Sequence, residues 1–146
     1  MKIKDKAQNG QVIIEFALIL PILLLILGGI IEFGILLYNK QVITNASREA
    51  ARAGIIYLVD KTTGNKIIPD IEGIARDYCQ NRLITFGAPT QPVVTHSTDP
   101  TELYPSDLTV QVTYQYTFIL SRAMNLFGAN VGPTLNLGAR TVMRME

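Results

Sequence analysis

From Val12 to Tyr38 the chain is almost wholly apolar, and no charged residue lies between Phe16 and Ile31. A helix that crosses a bilayer needs roughly 20 such residues. The stretch meets that requirement, with Glu15 and Glu32 as its only charges. Pro21 sits inside it, and a spanning helix tolerates the kink a proline brings. Gly28, Gly29 and Gly34 permit close helix approach, although no G-x-x-x-G spacing is present. After Tyr38 the pattern turns amphipathic: Val42, Ile43, Ala46, Ala50, Ala53 and Tyr57 recur at helical spacing, flanked by Arg48, Glu49 and Arg52. One helix is therefore predicted from about Val12 to about Leu58, ~70 Å long. Its second half projects beyond the membrane.

Asp60 to Lys66 reads as a polar turn. A second helix is predicted over Pro69 to Leu83, with Ile67, Ile68, Ile71, Ile74, Ala75, Tyr78 and Cys79 on its buried side and Pro69 at an early helical position. Gly87 to Pro92 reads as a loop. Three strands follow. Val93 to Ser97 is short. Leu108 to Leu120 alternates most clearly, with Leu108, Val110, Val112, Tyr114, Tyr116 and Phe118 on one face. Thr134 to Met145 places Leu135, Leu137, Ala139, Thr141, Met143 and Met145 together. Ser121 to Gly132 connects the last two and has room for a helical turn. The fold class is α+β: a long N-terminal helix, then a small domain with one helix and an antiparallel sheet of about three strands, one face on the helices. The organisation is a basic leader over 1–10, a transmembrane helix over 11–38, its extracytoplasmic continuation over 39–58, and an α+β domain over 59–146.

Charge adds orientation. Lys2, Lys4 and Lys6 precede the apolar stretch, and such residues hold the N-terminus in the cytoplasm. The C-terminal domain is then extracytoplasmic. A cleaved secretory signal fits poorly, because its apolar region is only about 7–15 residues long. The net charge of +1 and the lack of a basic cluster with interleaved aromatics argue against nucleic-acid binding. Cys79 is the only cysteine, so no intramolecular disulfide can form. It reads as a small buried hydrophobe.

Candidate chemistry is sparse. His96 with Asp99 and Glu102 is the one catalytic-looking cluster, and it reads as solvated loop residues. No phosphate-binding glycine motif occurs. The Asn45-Ala46-Ser47 sequon falls within a predicted helix and reads as chance. No enzyme is expected, and neither is a cofactor or metal. Glu15 is the informative residue: a carboxylate in a spanning helix costs a few kcal/mol and marks function, unless it sits at the headgroup boundary.

Gly10-Gln11-Val12-Ile13-Ile14-Glu15-Phe16, behind a lysine-bearing leader and ahead of a long apolar helix, resembles a class III prepilin-peptidase signal. The longer stretch 10–54 resembles the TadE-like family of tight-adherence (Tad/Flp) pilus pseudopilins. The matching pieces are Glu15-Phe16-Ala17-Leu18, Leu20-Pro21, Glu32-Phe33-Gly34 and Asn45 to Arg52. The ending Ala139 to Glu146 is similar to a member's final strand.

The resemblance implies a minor pilin or pseudopilin in the bacterial inner membrane that acts in assembly or priming of a Tad pilus. Its implied partners are membrane lipid, a prepilin peptidase, other pilins (TadF-like proteins and the Flp major pilin) and the inner-membrane assembly platform. Cleavage after Gly10 would expose an amine on Gln11. It would also remove three lysines and one aspartate, so thirteen basic and twelve acidic side chains become ten and eleven. By the same resemblance, the Glu15 carboxylate of one subunit pairs with the Gln11 amine of a neighbour, since opposite charges within ~4–6 Å favour both ionised forms. Glu32 either faces the outer headgroup layer or bonds to a neighbouring subunit. The alternative function is an unprocessed, signal-anchored envelope protein whose outer domain binds another envelope component or an extracellular ligand.

Overall fold

The computed structural model describes residues 4–56, 58–59, 66–67, 69–86, 91–98, 107–126, 128, 130 and 132–144. Tyr57, Ile68, the turn at 60–65, the loop at 87–90, Asp99, Glu102 and Met145 lie outside them. The chain divides into two compact units, Met1–Gly34 and Ile35–Glu146. Helix α1 spans Lys4–Gly54. It forms the described part of the first unit and opens the second.

In the first unit most described apolar side chains of α1 point outward. Val12, Phe16, Leu18, Ile22 and Ile30 are all exposed. Pro21 lies within the helix without ending it. The described helix already includes Lys4, ahead of the expected Val12.

The second unit is a three-stranded antiparallel sheet with helices on one face. Strands β3 (Val93–Thr98), β4 (Asp107–Thr117) and β5 (Thr134–Arg144) lie in the order β3-β4-β5. The register pairs Val94 with Val112 and Val112 with Ala139. In central β4 the alternation expected from the sequence holds: Leu108, Val110, Val112, Tyr114 and Tyr116 are buried and the residues between them are not. They meet Val42, Ile43, Ala46, Ala50 and Ala51 of α1 and Ile71, Ala75 and Cys79 of α2 (Ile71–Gln80) in one core. Each large side chain so buried contributes about 1.5–3 kcal/mol. Small alanines on α1 let its backbone come close to the sheet.

Several boundaries differ from expectation. Helix α1 stops at Gly54, not Leu58. Its last turn tightens, with Ile56 N–H donating to the Ala53 carbonyl at 3.3 Å. Leu58–Val59 (β1) then pairs with Lys66–Ile67 (β2) in a short ribbon the sequence did not suggest. Helix α2 starts after Pro69, because the Asp70 carboxylate caps it by accepting from Gly73 N–H at 2.9 Å. It ends at Gln80, before the expected Leu83. Strand β4 ends at Thr117, not Leu120, where Phe118 N–H turns to the Pro133 carbonyl. The expected helical turn is α3, Ser121–Leu126, opened by Ser121 Oγ donating to the Phe118 carbonyl at 2.9 Å. Leu135, in phase with the buried face of β5, is exposed.

Candidate processing and assembly site

Gly10, Gln11 and Glu15 all lie on α1. The four-residue spacing brings Gln11 and Glu15 onto one face. There Gln11 Nε2 donates to Glu15 Oε1 at 3.1 Å. Around them Val12, Ile14, Phe16 and Ile19 present bare hydrocarbon outward. A carboxylate in such a setting keeps its charge in an apolar medium only with a polar or cationic partner. In this chain the neutral Gln11 amide supplies a hydrogen bond to it.

Gly10 has a different character. A methyl group added at its α-carbon would meet nothing within 4 Å. Glycine inside a helix costs roughly 0.5–1 kcal/mol relative to alanine. Packing within the chain gives no return for that cost. Gly29 and Gly34 stand equally open.

Glu32 is not brought to this site; seventeen residues of helix place it ~25 Å from Glu15. It is only 6% exposed, between the exposed Ile31 and Phe33, and its side chain is engaged within the chain.

The second unit holds polar contacts that the sequence did not single out. Asn39 is fully buried and grips the backbone of Ile84 at both its amide and carbonyl. Ser47 donates or accepts a 2.8 Å hydrogen bond with Thr141 of β5. The Lys40 ammonium donates to the Gly138 carbonyl. The sequence pattern runs one helix through Asn39 and Ser47 alike; only contact with distant segments gives them work.

His96 is exposed, and its Nδ1 lies 3.7 Å from Glu72 Oε1, whose other oxygen meets Arg76 at 3.1 Å. This is a surface cluster. Among the described residues no group of three His, Cys, Asp or Glu side chains could hold a metal. Cys79 is fully buried, and burial pushes its thiol up to about 11, against a smaller opposing pull from Arg82. It is inert, as a small core residue should be.

The apolar part of α1 is long enough to cross a membrane, and its most apolar 18-residue stretch is not buried in the protein. This is the mark of a membrane-anchored chain. Residues 10–52 match the family model described as TadE-like protein. No curated protein and no solved structure matches the chain.

Proposed function

Taking as premise that residues 10–52 are TadE-like, which at the coarse level implies a Tad pilus-associated pseudopilin, we propose that this chain is a minor pilin that acts in assembly or priming of that pilus. A prepilin peptidase removes residues 1–10 by cutting after Gly10. The role is structural, with no catalysis of its own. Its partners are the peptidase, neighbouring pilins and the assembly platform of the inner membrane, and its C-terminal unit lies outside the cytoplasm.

The observation that carries this reading is the pairing of Gln11 with Glu15 on a bare apolar helix face, directly after an unpacked glycine. Gly10 serves nothing inside the chain, which fits selection by an outside protein that tolerates no side chain there. Cleavage leaves a positive amine on the residue that already bonds Glu15. A helix drawn from lipid into a bundle of like helices can then match each carboxylate with an amine, and no charge is left unpaired in a dry environment.

One observation favours the alternative, an unprocessed signal anchor. The Gly10–Gln11 bond lies inside continuous helix, and a helical peptide bond must unwind before a peptidase can hold it extended. The two readings part on intact mass. The membrane-extracted protein, expressed with and without its cognate prepilin peptidase, should lose residues 1–10 only when the peptidase is present. A full-length chain in both preparations would discard the processed-pilin reading in favour of the signal anchor.

A further inference from the structure

In the second unit, contacts order the elements along α1. Gly54 lies against Leu108 and Ile71. Ser47 meets Thr141, Lys40 meets Gly138, and Asn39 meets Ile84. Travelling down α1 from Gly54 to Asn39 is therefore travelling up β4 from Leu108, back along β5 from Met143, and up α2 from Ile71 to the segment after its end. The residues beyond Gly138 in this direction reach Leu135, three residues or ~10 Å further. Thr117 pairs with Thr134 there, and Ile119 follows it. One end of the unit thus gathers the start of its α1 segment, the segment after α2, and the turn from β4 to α3.

That end carries Tyr38, Ile84, Phe86, Ile119 and Leu135, each at least 39% exposed. Elsewhere on the described surface of this unit, exposed large apolar side chains occur singly, at Ile56, Val93 and Val142. Ile84 is not there by slack in the chain: Asn39 fixes its backbone twice. Lys40 lies at this end, as does Arg82, whose guanidinium sits 4.2 Å above the Tyr78 ring. The described acidic residues of this unit, Glu49, Asp70, Glu72, Asp77 and Asp107, lie toward the opposite end or midway.

We propose that this end of the unit is a lipid-contacting rim, with Ile84, Phe86 and Leu135 seated in the headgroup region of the bilayer. Continuity selects lipid as the occupant. Asn39 is the first strongly polar residue after the apolar stretch that ends at Tyr38, so the chain itself holds this end at the membrane surface. Apolar and aromatic side chains with a few cations and no acids among the described residues suit that layer. Exposed apolar patches of this kind mark an interaction surface. The inference goes beyond the pilin reading and needs only that α1 anchors the chain.

The test uses the full-length protein in liposomes whose lipids carry a nitroxide on the acyl chain near the headgroup. Single cysteines at I84C, F86C, L135C, V142C and L24C carry an environment-sensitive fluorophore. The wild type is the blank, since Cys79 is buried. Quenching at 84, 86 and 135 should exceed that at 142 by about two-fold or more, as for side chains at the headgroup layer. Quenching at 24 alone, with 84, 86 and 135 as solvent-like as 142, would overturn the rim and leave anchoring intact. Loss of quenching at 24 as well would remove anchoring and the rim together. Shielding at 84 and 86 that ignores the nitroxide but grows with protein-to-lipid ratio would assign the patch to a second copy and overturn lipid.

Discussion

Asn39 holds Ile84 at both ends of its carboxamide: Nδ2 donates to the Ile84 carbonyl at 2.8 Å, and Oδ1 accepts from the Ile84 N–H at 2.9 Å. A side chain here does what a neighbouring strand would do for an isolated stretch of backbone. It fastens the segment after α2 to α1 across 45 residues of sequence. Because Asn39 is fully buried, neither partner can turn to water if the other is removed.

Asn39→Ala should therefore destabilise the second unit by about 2–3 kcal/mol, from two lost hydrogen bonds and a stranded backbone pair. Asn39→Asp keeps the acceptor, loses the donor and buries a charge, so it should do no better. Denaturant unfolding followed by tyrosine fluorescence in mild detergent reads both. Wild-type stability in Asn39→Ala would show that Ile84 is held by something else.

Gly54 is the glycine that packing requires. A β-carbon there would lie 2.5 Å from Leu108 Cδ2 and 2.9 Å from Ile71 Cδ1. Both are core side chains with little room to retreat. Gly54→Val should cost about 1–3 kcal/mol, the range for overpacking a filled core, and Gly54→Ala less. Gly29→Ala, with open space around it, should leave the unfolding midpoint of the second unit in place. Equal effects at positions 54 and 29 would refute the close approach.

The Cys79 thiol gives the second unit a pH dependence with a definite sign. Burial raises it from 9.0 to about 11, so the folded state holds its proton more tightly than the unfolded state. Its contribution is complete below pH 9 and is lost as pH rises toward about 11. The loss at the top is on the order of 2 kcal/mol. Cys79→Ala removes this titration, so wild type should lose more stability than the variant between about pH 8 and about pH 11. Tyr114, also raised by burial, titrates in both proteins and cancels. Parallel curves would mean the thiol meets water.

Gly10 and Glu15 should separate two steps. Gly10→Val should leave the leader in place when the peptidase is present, with mass unchanged. Glu15→Gln should still be cut but should fail to co-purify with neighbouring pilins, because the amine on Gln11 then has no carboxylate to meet. Neither change should shift unfolding of the second unit, since both lie in the first. Normal co-purification of Glu15→Gln would remove charge pairing from the account.

Much of this was legible in the residues themselves. The alternation from Leu108 to Tyr116 and the stripe Val42, Ile43, Ala46, Ala50 are local patterns, and local patterns survive folding. The Gly10 to Glu15 spacing is local too, whereas the hydrogen bond from Gln11 to Glu15 within one chain was not expected. What escaped depends on distance along the chain. Asn39 reads as the polar end of an apolar run; only contact with Ile84 makes it a clamp. The helical pattern runs through Gly54 toward Leu58, and the glycine's tightness against Leu108 belongs to the tertiary structure. The β1–β2 ribbon is two residues a side, too short to carry a period. Leu135 follows the apolar phase of β5 yet is exposed, since burial depends on what packs over a position and not on its period.

The bonds from Lys40 to Gly138 and from Ser47 to Thr141 join positions 98 and 94 residues apart. A ribosome makes the α1 face of the core 94 to 98 residues before the strand that covers it. Until β5 is delivered, Val42, Ile43 and Ala46 have no sheet to lie on, and a helix alone is marginal in water. Closing so long a loop is slow compared with local pairing. The unit therefore matures only once β5 has been made, and until then the chain presents a sticky helix that a chaperone, or a sister chain, could take first.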